Sequence, residues 1–421
     1  MTTPTMKVED DAYDPFAAFD HYVGVGTVVN LHRIIAELRR KSPVIEGGLW
    51  NHFFNASEAQ PIDAVAFQHM SVYTALSYDA VTRVLRSSGR PFSSQQYANT
   101  IGIVMGHSIL EMDEPEHAKY RTTLEQAFSK KAMERWERDV VRPTISEHID
   151  RFAGRGSADL VREFTFPYPV HVITGLLALP VEDLPQFHRW AIELINVAFD
   201  PPRGLEASRK LHDYFIEAIE ERRHAGPRED LISVLAHSEV EGKPLDNEEI
   251  CAFLRLLLPA GAETTFRSSG NLLCGLLSNP DQLDAVRKDR SLIPQAIEEM
   301  LRWEGPLTTI IRQASEDTDL CGVPVPAGAA VMVCIASANH DESRWEDPEV
   351  FNIFRKRIPA VAFGFGPHVC IGQHLARMEM TTALNGLLDR LPNLRLDPNA
   401  EQPEVSGLMF RSPTTLPVLF G

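Results

Sequence analysis

Residues 363–375 read FGFGPHVCIGQHL, from Phe363 to Leu375. One cysteine, Cys370, stands among glycines, and an apolar helical pattern, GQHLARMEMTTALNGLLDRL, begins just behind it. A thiolate is a metal ligand, and its pKa falls beside a metal or at a helix N-terminus, where free amides point at it. Gly364, Gly366 and Gly372 allow close backbone approach and positive φ. Phe363 can cover the sulfur from water. A lone cysteine beside a glycine turn is ordinarily a small core residue, so the rest of the chain has to decide between the two readings.

The chain has 421 residues, is 44% hydrophobic and 24% charged, and carries a net charge of −17 from 58 acidic and 41 basic residues. Such an acidic balance argues against nucleic acid or an anionic membrane as the main partner. The five cysteines, Cys251, Cys274, Cys321, Cys334 and Cys370, are far apart and form no C-x-x-C pair. That argues against a disulfide framework, a zinc site or an iron–sulfur cluster held within the chain, and it suits a reducing cytoplasm. The opening MTTPTMKVEDDAYDPFAAFD has no basic region followed by an apolar one. The longest apolar run, VITGLLALPV at 172–181, is too short to span a bilayer and contains a proline. A soluble cytoplasmic protein is expected.

Helical periodicity dominates: TVVNLHRIIAELRRK, a long stretch from HAKYRTTLEQAF to EHIDRFA, EASRKLHDYFIEAIEERRH, NEEICAFLRLLLPAGAETTFRSSGNLLCGLLS, LIPQAIEEMLRWE and the helix behind Cys370. Strand-like runs are short: GGLWNHFF, HMSVYTAL, TDLCGVPVP, AAVMVCIAS and NLRLDP. No strand–helix alternation runs long enough for a doubly wound sheet. No G-x-G-x-x-G follows a strand, so there is no sign of a nicotinamide or flavin site.

Four further groups stand out. AGAETT, Ala260–Thr265, puts a glycine, an acid and two threonines inside an apolar helix. Helical threonines often bond only their own i−4 carbonyl, but this composition is costly for a mere core. Glu299 and Arg302 lie three apart in EEMLR, which alone is an ordinary ion pair. His117 and Arg121, in DEPEHAKYR, share one helix face. Arg312 lies in IIRQASED, and Arg355 ends SANHDESRWEDPEVFNIFR.

Together these resemble the cytochrome P-450 family, the haem-thiolate monooxygenases, and CIGQHLAR is especially similar to its soluble bacterial members. Phe363, Gly366, His368, Cys370 and Gly372 fit the family's cysteine-ligand loop. The resemblance runs in order from about Asp14 to Gly421, with Trp345 at a position usually held by Phe. It implies a mainly α fold with a small β part, a helical triangular prism. It implies one domain over residues 1–421, with residues 1 to about 12 disordered. Cys370 becomes the axial ligand of haem b, pushing electron density onto iron. His117, Arg121, Arg312 and His368 would neutralise the propionates. Thr264 would hold dioxygen by a hydrogen bond, Glu263 would gate protons, and Ala260 and Gly261 would leave room. Glu299, Arg302 and Arg355 would form a structural lock.

The implied reaction inserts one oxygen atom of O2 into a substrate. Electrons would come from an external ferredoxin and ferredoxin reductase, since 421 residues leave no space for a reductase domain. The protein is expected to be a monomer. Its pocket stretches, 91–110, 191–200, 306–311 and 407–410, are mostly apolar. Val104, Leu256, Leu307, Ile310 and Met409 then suggest a small hydrophobic substrate such as a terpenoid, steroid or aromatic compound. Against the acidic background a local basic patch should receive the donor. Arg377 is the prime candidate, joined by Lys119, Lys130, Lys131 and Arg135, though these are as readily ordinary solvated surface. A peroxide-using or nitric-oxide-reducing relative, and a haem-thiolate sensor without turnover, remain alternatives that the Glu263–Thr264 pair opposes.

Overall fold

The computed structural model describes residues 13–54, 67 and 70–421. The expected disorder of residues 1–12 lies outside the described residues. The fold is organised by a helix of 31 residues, Asn247–Leu277, which spans about 46 Å. Its start is set by a capping box: Asp246 accepts from the Glu249 amide while the Glu249 side chain accepts from the Asp246 amide, both at 2.8 Å. Helices Tyr168–Leu176, Leu184–Ile195, Pro201–Ala225, Ile293–Trp303 and Gln373–Arg390 pack around it. The largest hydrophobic core is formed between these helices.

The β part is small. A five-stranded sheet has the order Val44–Glu46, Val72–Ala75, Ala330–Cys334, Thr309–Ala314, Phe92–Ser93. Ala330–Cys334 runs parallel to Val72–Ala75 and antiparallel to Thr309–Ala314, pairing Arg312 with Val331 and Ile310 with Val333. A three-stranded sheet joins Arg395–Leu396, Pro417–Leu419 and Ser157–Asp159.

Two expectations are corrected. GGLWNHFF is no strand: Trp50–His52 forms a 3-10 turn, and Trp50 stacks on Phe54 with ring centroids 4.4 Å apart. Those aromatics are four apart, a helical spacing that the strand reading overlooked. The long periodic stretch from 117 onward divides into Glu116–Ala127 and a second helical segment starting at Lys130, where the Ser129 side chain caps the Ala132 amide. That segment widens into a π turn at Glu137–Val141 before Arg142–Asp150. Pro143 has no N–H to give the carbonyl four residues back, which favours the wider turn. TIIRQA shows no clear alternation, yet Thr309–Ala314 is a strand, as the family resemblance implies for the segment that carries Arg312.

Candidate active site

From Ile250 to Leu277 the central helix is buried everywhere except at Leu256, Ala260, Gly261 and Thr264. Leu256, Ala260 and Thr264 are spaced by four and form one stripe. Accessible residues in the middle of an otherwise buried helix face an internal space. The Thr264 hydroxyl donates to the Ala260 carbonyl at 2.7 Å, satisfying it locally while leaving its lone pairs toward that space. Gly261 has a second duty: a Cβ there would meet the side chain of Ile173, so its smallness also lets helix Tyr168–Leu176 approach.

The cysteine helix, Gln373–Arg390, packs against the central helix. Its leading loop is shaped by Gly364 and Gly366, both at φ +77°. A side chain at Gly366 would run into the Leu85 carbonyl, so glycine is required there. The loop closes through the Cys370 amide, which donates to the Phe363 carbonyl at 2.8 Å. The Cys370 thiol is accessible in area yet surrounded by protein, as a group facing an enclosed space would be. Burial raises its pKa, opposed by the amides of Gly372 and Gln373 and by the charges of Arg121 and Arg377. A thiol so placed needs a metal cation to become a firm thiolate, and two amides already point at the sulfur to stabilise it.

Beside the loop lies a cluster of basic side chains drawn from three elements: helix Glu116–Ala127, strand Thr309–Ala314 and the cysteine loop itself. The His117 and His368 rings lie 4.0 Å apart, and His368 Nε2 meets the hydroxyls of Ser88 at 3.3 Å and Ser94 at 3.2 Å. The His368 pKa is lowered to about 3 by burial first, then by Arg312, His117 and Arg121. Arg312, in its strand, is buried and donates from Nη1 to the Ile311 carbonyl. Arg312 Nε and His117 Nε2 are buried without a hydrogen-bond partner among the described residues. Arg121 is turned to Glu125, with Nε to Oε1 at 2.6 Å. Buried donors without acceptors, crowded among positive charge, call for an anion. Two carboxylates beside a thiol-ligated macrocycle fit this donor set, so the residues present suit a haem.

The lock residues meet as expected. Arg302 donates to both Glu299 oxygens, at 2.8 and 2.9 Å, and Arg355 Nε reaches Glu299 Oε1 at 3.4 Å. Both arginines also bond backbone carbonyls between Asp347 and Val350.

Other placements differ from the sequence reading. Leu256, Leu307, Ile310 and Met409 are partly accessible, but Val104 is fully buried and presents no surface. Arg377 is no free cation: its Nε pairs with Glu298 Oε1 at 2.6 Å, and its guanidinium lies 4.4 Å from the centre of the Phe363 ring. Lys119, Lys130 and Arg135 are paired with Glu241, Glu134 and Glu229. Glu263 does not stand open beside Thr264. It is buried and bonded to Arg267, whose Nε donates to Oε1 at 2.6 Å. Sequence reasoning missed Arg267, though its place four residues after Glu263 on one helix was signal enough. It also missed Glu379, buried on the cysteine helix with Oε2 unpartnered among the described residues and its pKa raised by burial.

Four likenesses bear on this arrangement. The family profile described as Cytochrome P450 matches residues 202–415. A steroid C26-monooxygenase of Mycobacterium tuberculosis is 35% identical, over 68% of this chain and 78% of that protein. The structure of cytochrome P450 CYP109Q5 from Chondromyces apiculatus is similar with a TM-score of 0.80 and 34% identity, covering 93% of this chain and 95% of that one. CYP109E1 from Bacillus megaterium, crystallised with testosterone, has a TM-score of 0.79 and 32% identity, covering 93% of this chain and 99% of that one.

Proposed function

The chain belongs to the cytochrome P450 family and is a monooxygenase, and we propose that its substrate is a hydrophobic small molecule of steroid, terpenoid or aromatic type. The observation that carries this is the accessible stripe Leu256–Ala260–Thr264 in a buried helix. Two of its three side chains are apolar, and Leu307, Ile310 and Met409 add apolar surface. A pocket of that kind gains affinity by desolvating apolar groups and has few means to hold a charge. The testosterone in CYP109E1 supports the steroid end of the range.

Each side chain has a physical task. Cys370 supplies the protein ligand, with the amides of Gly372 and Gln373 tempering its charge. His117, Arg121, Arg312 and His368 would hold the propionates of a haem b. When bound, the haem supplies the activation of dioxygen. The Thr264 hydroxyl, released from the Ala260 carbonyl to donate its one hydrogen into the pocket, or accepting there through its lone pairs from a water, holds a proton at the reacting position. Glu263 brings protons to it from the protein side. Phe363 and the apolar walls exclude water.

Electrons come from an external ferredoxin with its reductase, and the enzyme works as a cytoplasmic monomer. No helix among the described residues is long and apolar enough to cross a membrane. A ligand-induced absorbance-shift screen of the haem-loaded protein, with steroids, terpenoids, aromatics and charged controls, tests the substrate class. Shifts confined to apolar compounds are expected; shifts only with carboxylates or cations would refute it. The reduced protein with carbon monoxide should show the thiolate band, and Cys370→His should abolish it.

A further inference from the structure

Arg267 is 1% exposed, yet it serves two acids. Nε and Nη2 are both paired with Glu263, and Nη2 also donates to Asp20 Oδ1 at 2.8 Å. Nη1 donates to the Ser412 hydroxyl at 2.9 Å. The rings of Phe19, Phe266 and Phe410 lie 5.8, 5.2 and 5.4 Å from the guanidinium carbon. Two carboxylates thus share one guanidinium inside an aromatic jacket. With both ionised, the cluster has one negative charge too many, and a poorly hydrated setting makes that charge costly.

The two acids differ in access. The Glu263 side chain is 3% exposed and that of Asp20 is 38% exposed. Solvent reaches Asp20 but not Glu263, so the cost of the excess charge falls on Glu263. The direction agrees: burial raises the Glu263 pKa, Asp20 raises it further, and Arg267 opposes both. Without Asp20, Glu263 and Arg267 would be a balanced pair, and an acid so balanced is a poor proton carrier.

Among the described residues no other group supplies the missing balance. On helix Leu184–Ile195, His188 lies against Phe16 and Phe166, and burial lowers its pKa to about 3, so it stays neutral. In the C-terminal loop, Arg411 is spent on Glu304 through bonds of 2.7 and 3.0 Å. Asp20 is also held in place. Its helix, Pro15–Tyr22, is capped by Asp14, and the chain beyond is tied to the C-terminal loop: Leu408 N to Val23 O is 2.8 Å, Gly407 N to Val28 O is 3.0 Å, and Gly26 N to Ser406 Oγ is 2.7 Å.

We infer that Asp20, reaching in from the N-terminal helix, is a positioning residue for proton delivery: by sharing Arg267 it keeps Glu263 able to take up and release a proton. This rests on the reading of Glu263 as the acid that brings protons to Thr264. The step itself is a proton moving from water to the Glu263 carboxylate and onward, with no change at Arg267, which stays protonated throughout.

The test is a pH titration of the holoenzyme by infrared difference spectroscopy, following the carbonyl stretch of a protonated carboxyl. The band lost in Glu263→Gln identifies the residue. In Asp20→Asn its midpoint should fall by about one pH unit, as expected for losing a like charge partly screened by solvent. The alkaline limb of product formation should move down with it, and Asp20→Glu should restore both. A Glu263 midpoint unchanged in Asp20→Asn overturns the inference, whatever the turnover. Unaltered turnover in Glu263→Gln would instead remove the proton-relay reading beneath it, while leaving the infrared shift to be judged separately.

Discussion

Two buried ionic networks in this protein use the same side chains in opposite proportions. Glu299, Arg302 and Arg355 set one carboxylate against two guanidiniums, and the surplus N–H groups are spent on backbone carbonyls between Glu346 and Val350. The Asn352 amide adds a further donor to Glu299, at 3.0 Å. Every charge there has a partner and every partner is fixed. Glu263, Asp20 and Arg267 set two carboxylates against one guanidinium. A surplus of cations can be absorbed by carbonyls, which are everywhere in a folded chain, and the result is a lock. A surplus of carboxylates can be absorbed only by protons, and the result is a site that titrates.

Breaking the first network should have the largest effect. Arg302→Ala removes donors from Glu299 and three backbone carbonyls in a buried setting, at a cost of about 3–5 kcal/mol. That is a large part of the ~5–15 kcal/mol by which a domain is normally stable. Denaturant unfolding and haem content measure it; a variant with wild-type midpoint and full haem loading would dissolve the distinction between lock and relay.

The second network should fail in rate rather than in stability. Glu263→Gln leaves Arg267 with Asp20 and Ser412, so the melting temperature should change little. Turnover should fall about 100-fold, the lower range for loss of a positioned proton carrier. Glu299→Gln, the same substitution in the other network, should instead unfold the protein. If both variants behave alike, the charge-balance argument is wrong.

Thr264→Ala is subtler. The hydroxyl donates only within its own helix, so its loss should shift stability by less than about 0.5 kcal/mol. Oxygen consumption should continue, while product per electron donor oxidised falls and hydrogen peroxide rises. Wild-type coupling in this variant would leave Thr264 a helix residue and nothing more.

The smallest effect is expected at Arg377. It is partly exposed and already paired with Glu298, a pair worth under about 1 kcal/mol. Arg377→Glu should weaken first-electron transfer from ferredoxin modestly and flatten its salt dependence, with substrate affinity unchanged. If stopped-flow reduction is the same at all ferredoxin concentrations, Arg377 has no part in donor docking.

Much of the cofactor side was legible because it is written in local spacing. The glycines that shape the Cys370 loop, the three-residue step from Glu299 to Arg302 and the four-residue step from His117 to Arg121 are each set by short-range backbone geometry. The strand carrying Arg312 was harder to see, because TIIRQA is buried on both faces in places and shows no alternation. The pocket list was less secure for the same reason. Val104 is as apolar as Leu256, but sequence cannot say which of two apolar residues faces the space and which faces the core.

The chain by itself determined the family, the cysteine proposed as ligand, the helical character and the members of the lock, since each depends on residue type at fixed local spacing. Only the tertiary structure decided which charges are free and which are spent. Asp20 and Arg267 are 247 positions apart, and Arg377 and Glu298 are 79 apart. No periodicity links such pairs. Their electrostatics depend on burial and on distance through space, and both are properties of the folded chain alone.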